Sequence, residues 1–206
     1  ATTEIYTLSL HDALPILMEK ILNEVNQQNI IPVLLNPQSN NTKERMDNGP
    51  YRNWLDLVVC YDLLTDETER ARSCAYVTDS ILEETGLDEE GLFQSARDNL
   101  GGRYKVEISY IAPGSYCLQF EDGLYGGSIV LLDSYLKQMA EKVGDDLFIM
   151  PISVHELVVV KKKSSKSVGE LKKILKSINK DSSADEILSD NIYLFNRKRG
   201  KVTVAC

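Results

Sequence analysis

Histidine is almost missing from this chain: of 206 residues only His11 and His155 are histidines. Cysteine is sparse as well, at positions 60, 74, 117 and 206, with no pair in CxxC spacing. No Cys/His set therefore has the short, fixed intervals of a zinc site. The plain expectation for the thiols is small buried side chains in a reducing compartment. Neighbouring strands would allow Cys60 and Cys74 to sit opposite each other. Long apolar runs are absent too, and nothing approaches the roughly 20 residues of a membrane-spanning helix. Nor is there a surplus of positive charge: the formal net charge of -8 argues against a general nucleic-acid binder. What remains is average for a globular protein, 43% hydrophobic and 26% charged, enough for one domain with a real core.

The opening ATTEIYTLSLHDALPI (residues 1–16) stands apart. It lacks the basic region of a signal peptide, His11 and Asp12 interrupt its apolar residues, and it has no arginine of the kind transit peptides carry. It resembles a translated sequencing-library adapter. Residues 1–16 are therefore expected to be a non-native tail on a fragment. Residues 17–53 are expected to be a helix and loop left from a longer N-terminal region, and residues 54–206 an α+β domain.

Periodicity supplies the elements. A helical stripe runs over residues 17–28, and the apolar run at 30–35 is extended because of Pro32. Residues 36–50 are polar and rich in turn formers, so a loop with at most one helical turn is expected. Residues 54–64 predict a single buried strand, an acidic turn follows at 65–70, and a return strand at 73–77. Asp88 predicts the cap of a helix stopped by Gly101 and Gly102. Strands are expected at 105–110, 115–120 and 127–131, then a helix capped by Asp133 and ended by Gly144. Strands at 147–150 and 154–160 are read as a hairpin about residues 151–153. Ser167 and Glu170 form a capping box for a helix with Val168, Leu171, Leu175 and Ile178 on one face. Two strands, 192–195 and 201–204, close the chain. The order predicts an α+β fold, a largely antiparallel sheet with helices packed on one face. Residues 75–82 echo 130–136. Two similar ββα-type halves, by duplication or by convergence on a strand-to-helix turn, stay open.

Chemistry-bearing groups are few. His155-Glu156 is not HExxH, because Val159 stands where the second histidine belongs, and adjacent strand residues face opposite ways. Ser153 and His155 would share a strand face, yet nothing local activates the serine. Asp56, Asp62, Asp66 and Glu67 make an acidic patch that offers magnesium-dependent chemistry as an alternative to a solvated turn. Gly123, Gly126 and Gly127 precede a strand and not a helix, which points to a hairpin turn and away from a phosphate loop. Basic residues crowd the last quarter: Lys161, Lys162, Lys163, Lys166, Lys172, Lys173, Lys176 and Lys180, then Arg197, Lys198, Arg199 and Lys201. Such a patch can bind phosphates, although no aromatic interleaves with it for base stacking.

Several stretches in fixed order carry a resemblance: LN at 35–36 with Asn40, PYRNWLDL at 50–57, LDEEGL at 87–92, ARDN at 96–99, GDDLFIMPISVHE at 144–156 and ILSDNIY at 187–193. From about Leu34 to the end the chain resembles a family of bacterial proteins known as domain of unknown function 5688. Two departures stand out. The family's Pro-His-Arg is Pro50-Tyr51-Arg52 here, and its Tyr-x-Leu-Thr-Asn strand end is replaced near residues 117–120. The resemblance implies a soluble cytoplasmic protein, with family members extending upstream of residue 17, and supplies no activity. The expectation is a non-enzymatic binding or accessory protein that needs no cofactor or metal and acts through a protein partner. Arg52, Asp56, Ser153, His155 and Glu156 are its candidate binding or bracing residues, and Lys161, Lys162, Lys163, Lys172 and Lys173 its basic patch. The alternatives are a metal-dependent hydrolase at Asp56/Asp62 and a weak nucleic-acid binder through the C-terminal lysines.

Overall fold

The computed structural model describes residues 26–68, 71–164 and 166–206. Residues 1–16 with His11, and the expected helix as far as residue 25, lie outside the described residues. From Asn26, which caps a 3-10 turn at Gln27–Asn29, the chain enters a four-stranded sheet of β1 (Ile30–Leu35), β2 (Arg52–Trp54), β3 (Leu57–Thr68) and β4 (Ala71–Tyr76). The long β3 is its spine. β1 lies along one side, from Ile30↔Leu63 to Leu35↔Val58. β2 and β4 share the other, with Arg52 opposite Val59 and Tyr76 opposite Asp62. This sheet draws strands from both sides of the boundary expected at residue 53.

The second sheet has six strands in the order β10-β9-β7-β8-β6-β5: β5 (Val106–Ala112), β6 (Ser115–Phe120), β7 (Leu147–Pro151), β8 (Leu157–Lys161), β9 (Tyr193–Asn196) and β10 (Lys201–Val204). Every recorded pairing in both sheets is antiparallel. The α-helices are α1 (Asn40–Asn48), α2 (Asp79–Thr85), α3 (Glu89–Arg103), α4 (Asp133–Val143) and α5 (Val168–Asn179). The fold is α+β, as the sequence predicts. One core cluster joins the sheets: Val33, Leu34 and Val59 from the first meet Leu118, Phe120, Ile149 and Val159 from the second, with Leu92 and Leu100 of α3 and Leu136 and Met139 of α4. The central strand β7 is buried on both faces. Leu147 and Ile149 point into that core, while Phe148 and Met150 pack with Leu171 and Leu175 of α5 in a second cluster. The two faces of β7 thus pack into different clusters, α5 on one side and the core shared by the two sheets on the other.

Several expectations change. The strand predicted over 54–64 is two strands with a two-residue turn at Leu55-Asp56, Leu55 having φ of 54°. The acidic turn at 65–70 is strand as far as Thr68. The loop at 36–50 contains α1, capped by Ser39, whose side chain accepts from the Thr42 N–H. Polar composition hid this helix, because its buried positions are Thr42 and Arg45 and not an apolar stripe. The segment at 127–131 is a 3-10 helix, Gly126–Leu131. α3 runs through Gly101 and Gly102 to Arg103. Asp133 is the first residue of α4 and does not cap it; its carboxylate takes Arg97 at 3.3 Å. β8 starts only at Leu157, so residues 153–156 are a connection. The capping box of Ser167 and Glu170 is present on α5, with Leu171 and Leu175 buried but Ile178 exposed. Cys74 stands opposite Leu64, not Cys60. The echo between 75–82 and 130–136 joins unlike structures: a strand leads into a helix capped by Thr78 in one, and a 3-10 helix leads into an uncapped helix in the other. Of the described helices none is long and apolar enough to cross a membrane.

Candidate functional site

The turn between β2 and β3 sets the site. A leucine at positive φ costs about 1–2 kcal/mol, and the turn holds it there while presenting Asp56 next to the segment that leads from α5 to β9. Three side chains from that segment donate to the one carboxylate. Ser189 Oγ and Asn191 Nδ2 reach Asp56 Oδ2 at 2.6 and 2.9 Å, and Tyr193 Oη reaches Oδ1 at 2.9 Å. Burial by itself would raise the Asp56 carboxyl, but these three bonds, together with one from the Asp56 backbone, outweigh it and hold the group below its ordinary value. The donors are fixed in turn. Ser189 Oγ accepts from the Asn191 N–H at 2.9 Å, Lys172 Nζ donates to Asn191 Oδ1 at 3.1 Å, and Trp54 meets the Tyr193 ring edge-on at 5.3 Å. Behind them Asn179 of α5 donates to the Ser189 carbonyl and to Asp190 Oδ1.

Beside this clamp runs a groove of about 640 Å³. Asn36, Pro37 and Gln38 form one wall, Lys176, Asn179 and Lys180 of the α5 end another, and Asp56 with residues 187–191 the floor and far side. Its charge is mixed, with Lys176 lying 3.8 Å from Asp190 and both largely exposed. A second cavity of about 280 Å³ flanks the other side of the turn that precedes α1. It is lined by Arg45, Tyr76, Tyr125, His155 and Glu186 among others.

Asp56 and Asp62 do not share a site. Five residue steps along the strand separate Leu57 from Asp62, about 17 Å, and Asp62 is wholly buried in an ion pair with Arg45. Arg45 also donates to the Tyr61 carbonyl at 3.1 Å and lies over the Tyr76 ring at 4.2 Å. Cys74 Sγ donates to Asp62 at 3.4 Å. Burial, with Asp62 adding, pushes that thiol up to about 11, so it is no nucleophile at neutral pH. The side chains of Asp66 and Glu67 lie outside the described residues. Among the described residues no group of three or more His, Cys, Asp or Glu could hold a metal ion. The magnesium site raised as an alternative to a solvated turn is therefore not assembled by Asp56 and Asp62.

The other candidates are dispersed. Arg52 pairs with Glu90 of α3 at 2.7 Å and stacks on Phe93 at 4.3 Å, pinning the hairpin to that helix. Ser153, His155 and Glu156 sit in the connection from β7 to β8. There the His155 N–H donates to Ser153 Oγ at 3.0 Å, and His155 Nδ1 accepts from the Tyr125 N–H at 3.3 Å. That pairing orients an imidazole and does not activate a serine. Cys117 donates to Glu156 at 3.4 Å. Gly126 and Gly127 are not a hairpin turn; they let this connection approach, since a Cβ on Gly126 would lie 2.2 Å from the His155 carbonyl oxygen. The basic residues divide. Lys172 joins the clamp, Lys173 is exposed on α5, and Lys161, Lys162 and Lys163 lie at the end of β8.

The sequence singled out Asp56 but missed its partners, Ser189, Asn191 and Tyr193. The signal available was the ILSDNIY stretch, whose polar residues interrupt an otherwise apolar lead into β9. Neither a curated protein nor a solved structure matches the chain. A family model does match residues 110–197, the stretch from the end of β5 through β9 that carries all three Asp56 donors, and the protein is similar over that stretch to a family of unknown function, DUF5688.

Proposed function

We propose that this chain is a non-catalytic protein-binding module whose recognition surface is the groove beside Asp56. One observation carries the reading: the carboxylate best placed for chemistry has its oxygens taken by three internal donors, and this fixes the groove wall in one shape. A preformed wall lowers the ordering cost of binding. The lining of amides, two lysines and two aspartates suits the mixed polarity of a peptide backbone with flanking charges. An intracellular setting is part of the proposal, supported by four free cysteines, three of them wholly or partly buried.

The test is a peptide selection from a random display library on the immobilised protein. Peptides that bind the wild type and are lost on Lys180→Glu or Asn36→Ala are the expected result. No enrichment, or peptides indifferent to both substitutions, would remove the groove from consideration. A parallel screen of ester, phosphodiester and glycoside substrates, with magnesium or manganese added, addresses catalysis. Turnover abolished by Asp56→Asn would replace the binding reading with an enzymatic one.

A further inference from the structure

The stretch Gly144-Asp145-Asp146 ends α4 and begins β7, and the groove makes no use of it. Its two carboxylates are turned to backbone groups on two separate turns. Asp145 Oδ2 accepts from the Lys163 N–H at 2.8 Å, in the 3-10 turn Lys162–Ser164 after β8. Asp146 Oδ1 accepts from the Arg197 N–H at 2.9 Å, in the turn between β9 and β10. The Asp146 carbonyl also takes the Lys162 N–H at 3.0 Å, and its Oδ2 lies 3.7 Å from Lys162 Nζ. Two loops more than thirty residues apart are thereby tied to one dipeptide, side by side at the same end of the six-stranded sheet. Lys162, Lys163, Arg197, Lys198 and Arg199 are exposed there, with Lys161 next to them. Among the described residues Lys162 is the one member of this group in an ion pair. Holding so many like charges together opposes folding, and here it is done by fixed hydrogen bonds in a chain whose net charge is -8.

We propose that this end of the sheet is a docking surface for an acidic segment of a partner protein. Charge complementarity selects an anionic partner. The arginines on the β9–β10 turn offer the forked donors that carboxylates take in pairs. A protein segment is favoured over nucleic acid on two grounds. Neither turn carries an aromatic residue on which a base could stack, and the overall negative charge repels a long polyanion beyond the contact itself. The surface is separate from the groove and does not depend on it.

Fluorescence anisotropy with a labelled oligoglutamate peptide, at low and at physiological salt, tests this on the full chain. The reversal Arg197→Glu/Lys198→Glu/Arg199→Glu is expected to weaken binding about tenfold or more, while Lys43→Glu on α1 changes it less than about twofold. Asp145→Asn/Asp146→Asn separates an organised surface from mere attraction. That variant makes the patch more positive, so simple attraction requires tighter binding, whereas loss of the two anchors requires weaker binding. Circular dichroism confirms that each variant is folded, and the single change Asp146→Asn replaces the pair should the pair unfold. The proposal is overturned by absence of binding at low salt, by indifference to the arginine reversal, or by tighter binding of Asp145→Asn/Asp146→Asn. A labelled single-stranded oligonucleotide bound more tightly than oligoglutamate would also overturn it and assign the patch to nucleic acid. Lys180→Glu keeps the two surfaces distinct, since it should abolish groove-selected peptides and leave oligoglutamate binding in place.

Discussion

Replacing Asp56 by alanine should destabilise the protein by about 3 kcal/mol, although the residue sits in a turn on the surface. Two of its three donors are buried, Ser189 at 5% and Tyr193 at 1% exposure, so their hydroxyls would lose a charged acceptor without regaining water. Each orphaned buried donor costs about 1–3 kcal/mol. Asn191 is less buried and recovers solvent. Asp56→Asn keeps one carbonyl acceptor but turns an amide N–H toward a donor, for an expected loss of about 2 kcal/mol. Tyr193→Phe should cost about 1 kcal/mol, and the double variant Asp56→Ala/Tyr193→Phe should show about 1 kcal/mol of coupling. Urea unfolding at constant slope measures all four quantities. The pH dependence has a definite sign. The folded-state carboxyl titrates below its ordinary value, so its contribution is complete above the unfolded value of about 3.9 and is lost as pH falls through the lower folded value. The difference between wild type and Asp56→Asn should therefore be flat at neutral pH and shrink only in acid. A loss below about 1 kcal/mol for Asp56→Ala, or no coupling to Tyr193, would refute the clamp.

Further outcomes follow from other contacts. Asp62→Ala leaves Arg45, 7% exposed, as an uncompensated buried charge and should cost about 3–5 kcal/mol. The paired replacement Arg45→Met/Asp62→Leu should recover most of that in the same urea assay. Gly126→Ala pushes a methyl against the His155 carbonyl and should cost about 1–3 kcal/mol, whereas Gly102→Ala in α3 meets no neighbour within 4 Å and should stabilise by about 0.5–1 kcal/mol through helix propensity. Under mild iodoacetamide, mass spectrometry should find Cys206 modified first, because it is exposed, while burial pushes Cys60, Cys74 and Cys117 up to about 11. Equal rates at all four thiols would contradict the burial.

The sequence specified those elements whose information is local. The box of Ser167 and Glu170, the stripe of Leu171 and Leu175, and the alternating strands β5, β6, β9 and β10 all state their structure within a dozen residues. The α+β class follows from them. Tertiary contact decided the rest. Leu55 is no turn former, and its positive φ follows from the hairpin that β2 makes with β3. α1 has no apolar stripe and rests on its Ser39 cap and the Arg45–Asp62 pair. Gly126 and Gly127 look like turn residues but serve an approach between segments almost thirty residues apart. The candidate site belongs to the same class. Asp56 and Tyr193 are 137 residues apart, and no pattern confined to either neighbourhood records that a carboxylate in one turn will collect three donors from the other. Helices and strands follow from periodicity because backbone geometry repeats over a few residues. A clamp between distant turns has no period, so only the packed sheets could bring it together.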